Sequence, residues 1–97
     1  MAFKIEYTHQ AEIDVVKAVD YYIEKTSRKI AKSFYSKLIE AEKTLKSISF
    51  FQKIHNDFHR LPLKIFPYII IYKVDKENEI IKIFRIFHTS QSPEKYP

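Results

Sequence analysis

The sequence predicts a two-layer α+β domain of element order β-α-α-β-β-β, with a helical hairpin packed on one face of a mainly antiparallel sheet. Three observations predict it. Two long stretches repeat apolar residues every three or four positions and lie only a few residues apart, which makes an antiparallel helix pair. Two β-branched and aromatic runs flank the polar turn Asp75-Lys76-Glu77-Asn78, which makes a hairpin. The chain also begins on a segment of period two, Phe3-Lys4-Ile5-Glu6-Tyr7.

That opening segment alternates apolar with charged residues, as a strand buried on one face does. Thr8 stands where a hydroxyl can accept from the free amides of a helix running from about Gln10 to Glu24. Glu12 and Asp14 suit the positive end of that helix's dipole. Val15, Val16, Val19, Tyr22 and Ile23 mark its expected buried stripe. Thr26 and Ser27 interrupt the pattern and offer a second cap. From Arg28 to Ser47 the helical signal is stronger, because Ile30, Ala31, Phe34, Leu38, Ala41, Leu45 and Ile48 advance along one side. Lys29, Lys32, Lys43 and Lys46 fill much of the other.

Phe50 to Asp57 is irregular and reads as a loop. His59 to Leu63 reads as a short strand that Pro62 confines to an edge. Tyr68 to Val74 is apolar almost throughout, the signature of a strand buried on both faces. Glu79 to His88 supplies its partner. From Thr89 the chain is polar, holds two prolines and reads as a flexible tail over 89–97.

The 97 residues suit one domain spanning 1–97. The absence of cysteine removes disulfides, zinc-thiolate sites and thiol nucleophiles, and the absence of glycine removes glycine-rich phosphate loops. No apolar run is long enough to span a membrane and no secretory leader is visible, so a cytoplasmic protein is expected. The formal charge of +5 is spread evenly, with 9 basic against 7 acidic residues up to Gln52 and 8 against 5 after it. Any anionic partner must therefore meet a folded surface rather than a basic tail. A sheet with helices on one face leaves the other uncovered, and function is expected there.

Among the four histidines, His55 and His59 are four apart but lie in the irregular stretch, and no pair has helical metal-site spacing. No metal or cofactor is expected. His88 ends a strong strand, where an imidazole can act as general acid or base or simply terminate the strand. Arg60 and Arg85 are two of three arginines, whose planar fork grips phosphate or carboxylate as lysine cannot. Arg85, inside an apolar strand, must snorkel, pair with an acid to tie sheet to helix, or point at the open face. Strict alternation puts Arg85 with Ile81, Ile83 and Phe87, and His88 opposite them with Phe84 and Ile86. Only a bulge or the end of pairing would join the two.

Tyr21-Tyr22 at the end of the first helix, Arg60-Leu61-Pro62, Phe66-Pro67-Tyr68-Ile69-Ile70-Ile71-Tyr72 and Ile83-Phe84-Arg85-Ile86-Phe87-His88 occur in one order. Together they resemble the RelE/ParE superfamily, the toxins of bacterial type II toxin–antitoxin modules, also called plasmid stabilization proteins. The resemblance runs from Phe3 to about Pro93. It implies a growth-inhibiting cytoplasmic toxin, neutralised in an oligomer by a cognate antitoxin that wraps it with a helix and an extended segment.

The resemblance implies one of two mechanisms. RelE-like members are metal-independent endoribonucleases that cut mRNA on the ribosome; here Arg60 and Arg85 would hold the phosphate, His88 would be general base or acid, and Lys53 and Lys64 would assist. ParE-like members inhibit DNA gyrase by binding and need no catalytic set. Some nuclease members carry an arginine in the penultimate strand, where this chain has isoleucines between two tyrosines, and Asp57 is a poor match for their carboxylate. Phe66-Pro67-Tyr68 followed by aliphatics is closer to ParE-like members. Tyr96 stands where some members of the superfamily carry a terminal aromatic, or simply belongs to the flexible tail. The ParE-like reading is favoured, with the nuclease as alternative and a non-toxic binding module or decayed toxin as the third.

Overall fold

The computed structural model describes residues 3–51 and 58–89. Lys53, His55, Asp57, Tyr96 and the tail beyond Thr89 lie outside the described residues, as do the side chains of Ile48, Phe50 and Phe51. The elements are β1 (Lys4–Tyr7), α1 (His9–Lys25), α2 (Arg28–Phe51), β2 (His59–Pro62), β3 (Tyr68–Asp75) and β4 (Ile80–His88). This is the expected order. The sheet runs β1-β4-β3-β2, with β1 parallel to β4 and the other pairs antiparallel. The helical hairpin carries the chain from β1 at one edge to β2 at the other, and the antiparallel β2-β3-β4 meander then returns to lay β4 parallel beside β1. Pro62 does sit on an edge strand, where its missing N–H costs the sheet nothing on the open side.

Thr8 caps α1: its Oγ1 accepts from the Ala11 N–H at 3.1 Å and donates to the Phe84 carbonyl at 2.9 Å, so one hydroxyl both starts the helix and fastens it to β4. Ser27 Oγ accepts from the Ile30 N–H at 3.2 Å at the start of α2. Both helices are longer than their periodicity suggests. No proline or glycine interrupts the sequence between Arg28 and Phe51, so α2 continues past Ser47 and takes in Phe50 and Phe51, which read as loop.

The buried stripe of α1 also differs from the expected one. It is Ala11, Asp14, Ala18 and Tyr22, while Val16 is 58% and Ile23 41% exposed. Val15 and Val19 only flank the core. Small side chains at Ala11 and Ala18 let the helix approach the sheet closely, and the carboxylate between them has a partner there. In α2 the stripe is as expected for Ala31, Phe34, Leu38, Ala41 and Leu45, all buried, whereas Ile30 faces outward.

Rings fill the space between the hairpin and the sheet. Phe34 is fully buried with Tyr22, Phe66 and Tyr68 around it at centroid distances of 5.5, 5.4 and 5.1 Å. The Phe66 and Tyr68 rings meet it edge-on and the Tyr22 ring is tilted, and such contacts add to the area they bury. Tyr68, Ile70, Tyr72 and Val74 present the helix-facing side of β3, with Ile81, Ile83 and Ile86 beside them on β4.

Strict alternation along β4 fails at one point. The pairing steps from Ile71↔Arg85 to Tyr72↔Ile83, leaving Phe84 as an extra residue. This bulge puts Ile83 and Ile86, three apart, on the same core face and corrects the face assignment made from the sequence. Phe84, Arg85 and Phe87 belong to the far face. That face is also less bare than expected: Ile71 is 2% exposed and Phe87 fully buried.

Candidate functional site

The far face of the sheet can be built rung by rung. Register places Arg60 opposite Ile71 and Ile71 opposite Arg85, so the two arginines share one rung of β2-β3-β4. Neighbouring strands lie about 4.8 Å apart, which sets the two backbones roughly 10 Å from each other. The next rung carries Glu6, Lys82 and Lys73 across β1-β4-β3. The Lys73 ammonium sits 4.5 Å from the centroid of the Phe58 ring, and Phe58 meets Phe84 edge-on at 5.0 Å. These side chains cover part of the face with mixed cationic and aromatic surface.

Arg85 is the better fixed of the pair. β1 stops pairing at Tyr7↔Ile83, and from there α1 runs along the exposed edge of β4. Asp14 on that helix accepts from Arg85 Nε at 2.7 Å and Nη2 at 3.3 Å, and from the Ile86 N–H at 2.9 Å. The guanidinium carbon lies 4.4 Å from the centroid of the Phe87 ring. The acid is the one buried charged residue among those described, and its charge is matched by a bidentate partner and a backbone amide. Arg85 thus ties sheet to helix. Its side-on fork, the Nε and Nη2 pair that would grip a phosphate, is already occupied.

His88 lies on the other side. It is opposite Tyr68 in the register and meets that ring edge-on at 5.1 Å. With Asp14, Lys17, Ala18, Tyr21 and Ile86 it lines a cleft of about 450 Å³ beneath α1. Burial, with Tyr22 and Tyr21 close by, pushes the Tyr68 hydroxyl up to about 12. The bulge at Phe84 precedes Arg85, and pairing is regular from Arg85 to His88, so these two stay on opposite faces as alternation along the strand expects. Lys64 is elsewhere again, in a small cleft against α2 with Lys37, Glu40 and Thr44. Of the residues singled out from the sequence, the fold joins Arg60 with Arg85, and separates both from His88 and Lys64.

Asp14 was not among them. Its signal was present in the spacing, since Ala11, Asp14, Ala18 and Tyr22 themselves recur at helical intervals once an acid is admitted to the stripe. Among the described residues no cluster of three metal-ligating side chains occurs, and no helix is long and apolar enough to cross a membrane.

The family described as the ParE toxin of type II toxin-antitoxin system, parDE, matches residues 5–93. No curated protein matches the sequence. In structure the chain is similar to the chromosomal ParDE toxin–antitoxin system of P. aeruginosa, with TM-score 0.72 and 19% identity, over 89% of this chain and 95% of that one. It is also similar to the archaeal RelE-RelB complex from Pyrococcus horikoshii OT3, with TM-score 0.57 and 17% identity, over 95% of this chain and 100% of that one. The isolated E. coli RelE toxin gives TM-score 0.54 and 14% identity, over 96% and 90%. At these identities the structural likeness carries the fold.

Proposed function

The chain belongs to the ParE toxin family of type II toxin–antitoxin systems, and from that premise we propose that it arrests growth by binding a target, DNA gyrase, rather than by cutting RNA. One observation carries the choice between mechanisms. An RNA-cleaving site needs a proton-transfer group beside a phosphate clamp. Here the imidazole of His88 lies on the helix side of the sheet, while Arg85 lies across it with its side-on fork filled by Asp14. Arg60 then supplies the positive charge of this rung for target contact, beside an Arg85 whose charge Asp14 matches.

A cognate antitoxin is the expected partner. The outer side of the helical hairpin leaves Val16, Ile23 and Tyr35 at 58%, 41% and 52% exposure, and Arg28 and Lys32 rim the groove between the helices. An amphipathic segment with acidic flanks would cover it. The relatives from P. aeruginosa and Pyrococcus horikoshii are described as a ParDE system and a RelE-RelB complex, which supports the same arrangement here.

The test is to express the chain without an antitoxin, follow growth, and map RNA 5′ ends in translated messages. Growth arrest without new RNA ends supports the reading. Arrest with cuts inside translated messages would replace it with the nuclease. Unchanged growth would leave a non-toxic binding module or a decayed toxin.

A further inference from the structure

The loop between β2 and β3 carries a residue in an unusual state. Ile65 has φ 74°, in the left-handed region, where a β-branched side chain crowds the backbone on both sides. The Phe66 N–H donates to the Lys64 carbonyl at 2.8 Å and closes a three-residue turn centred on Ile65. Turns of this hand are rare and strained. The other left-handed residue among those described, Glu79, is unbranched and polar and sits in the β3–β4 hairpin turn. Asparagine, whose short polar side chain tolerates a positive φ, would meet the geometry at Ile65 with less strain.

Both sides of the loop are fastened to the core. Leu63 is buried, and its N–H donates to the Tyr68 carbonyl at 2.9 Å. Phe66 is 9% exposed, with Tyr22 and Phe34 edge-on to its ring at 5.3 and 5.4 Å. The Pro67 carbonyl accepts from the Thr89 N–H at 2.8 Å, which ties the loop to the end of β4. On this rigid base Ile65 projects into solvent at 81% exposure, the highest of the exposed large apolar residues. Backbone strain and an apolar side chain in water are two unfavourable terms at one position, and the fold retains both. Strained positions of this kind concentrate where a protein meets a ligand or partner.

We propose that Ile65 is a pre-set apolar anchor that inserts into a preformed apolar pocket on a folded protein, the target on which the toxin acts. The inference rests on the toxin reading above. A fixed convex knob requires a concavity already formed in its partner, which a folded protein has and an extended segment lacks. Lys64, exposed beside it, suits a pocket whose rim is acidic. Because its backbone is set before the encounter, little ordering entropy is lost on docking, as for buried anchors at the centre of tight interfaces.

Strain at the same position makes the idea separable from folding. Ile65→Asn removes the apolar group and relieves the left-handed backbone; Ile65→Thr keeps the branching and removes the apolar end; Ile65→Val keeps an apolar, branched side chain. Each is expressed without antitoxin at graded levels, and the dose is counted as soluble, folded chain so that any stability difference is taken out. The anchor predicts that the half-arresting dose rises at least about tenfold for the Asn and Thr variants and less than about threefold for Val. It also predicts that the Asn variant unfolds at no lower temperature than the wild type. Asn and Thr variants that arrest growth at the wild-type dose would overturn the anchor while leaving the toxin reading intact. A wild-type chain that arrests nothing would overturn both.

Discussion

Asp14 and Arg85, 71 positions apart in sequence, form a bidentate ion pair whose shorter contact, Oδ2 to Nε, is 2.7 Å. The same carboxylate oxygen accepts the Ile86 N–H at 2.9 Å, at the edge of β4 that β1 no longer covers. Helix α1 thus takes the place of a missing strand, with Thr8 and Asp14 supplying the hydrogen bonds. This pair sets both the position of the helix and the availability of Arg85.

Asp14→Ala leaves a partly buried guanidinium and a buried N–H without their partner, and is expected to cost about 2–3 kcal/mol in urea unfolding. Arg85→Lys keeps the charge but cannot present two parallel donors, and should cost about 1–2 kcal/mol. A double-mutant cycle between Asp14→Ala and Arg85→Ala should return a coupling of roughly 1–3 kcal/mol. Additive single effects would show that the two side chains do not act as a unit.

Phe34 is fully exposed only in the unfolded chain, and in the fold it stands among three other rings. Phe34→Ala should destabilise by about 3–5 kcal/mol. In a chain this short that is a large share of the total, so thermal unfolding should show either a steep fall in midpoint or no folded state.

The ionisation of buried tyrosines gives the stability a sign in alkali. Tyr7, Tyr22, Tyr68 and Tyr72 are all raised above the usual phenol value by burial, with the Glu42 carboxylate, which accepts the Tyr7 hydroxyl at 2.6 Å, adding to the effect at Tyr7. For Tyr68 the window runs from the ordinary 10.0 to about 12. Within it the unfolded chain has released a proton that the folded chain retains, so stability is intact below the window and falls as pH rises through it. Urea midpoints should decline across this range, and phenolate absorbance should rise together with unfolding. Full tyrosine ionisation in a still-folded protein would contradict this.

His88→Ala separates the two mechanisms. If the imidazole transfers a proton in RNA cleavage, its loss should weaken activity about a hundredfold or more. If the chain acts by binding, growth arrest at equal folded dose should be retained. The lost edge-on contact with Tyr68 should by itself cost about 0.5–1.5 kcal/mol.

Much of the fold was legible because periodicity reports burial. The stripe from Ala31 to Leu45, the edge position forced by Pro62 and the hairpin about Asp75 to Asn78 follow from residue type and spacing alone. The failures have a common physical source. Val16 and Ile23 were more hydrophobic than Ala11, Asp14 and Ala18, yet the helix turns the latter inward, because close approach and a long-range ion pair outweigh side-chain hydrophobicity there. The Phe84 bulge is a property of strand pairing rather than of composition, and it moved Ile81 and Ile83 to the face of Ile86 and Phe84 to that of Arg85. In the candidate site, the sequence singled out Arg85 and allowed a sheet-to-helix ion pair, but did not name Asp14 as the acid. Ile65 was unreadable in advance, since nothing in its neighbours announces a left-handed backbone at an isoleucine.

The most direct measurement is a supercoiling assay in which the purified chain is added to DNA gyrase and relaxed plasmid, with translating ribosomes assayed in parallel for mRNA cleavage. A gyrase-binding toxin makes supercoiling fail as the chain is titrated in, while ribosome-bound mRNA stays intact. Undiminished supercoiling together with mRNA cut on the ribosome would contradict this.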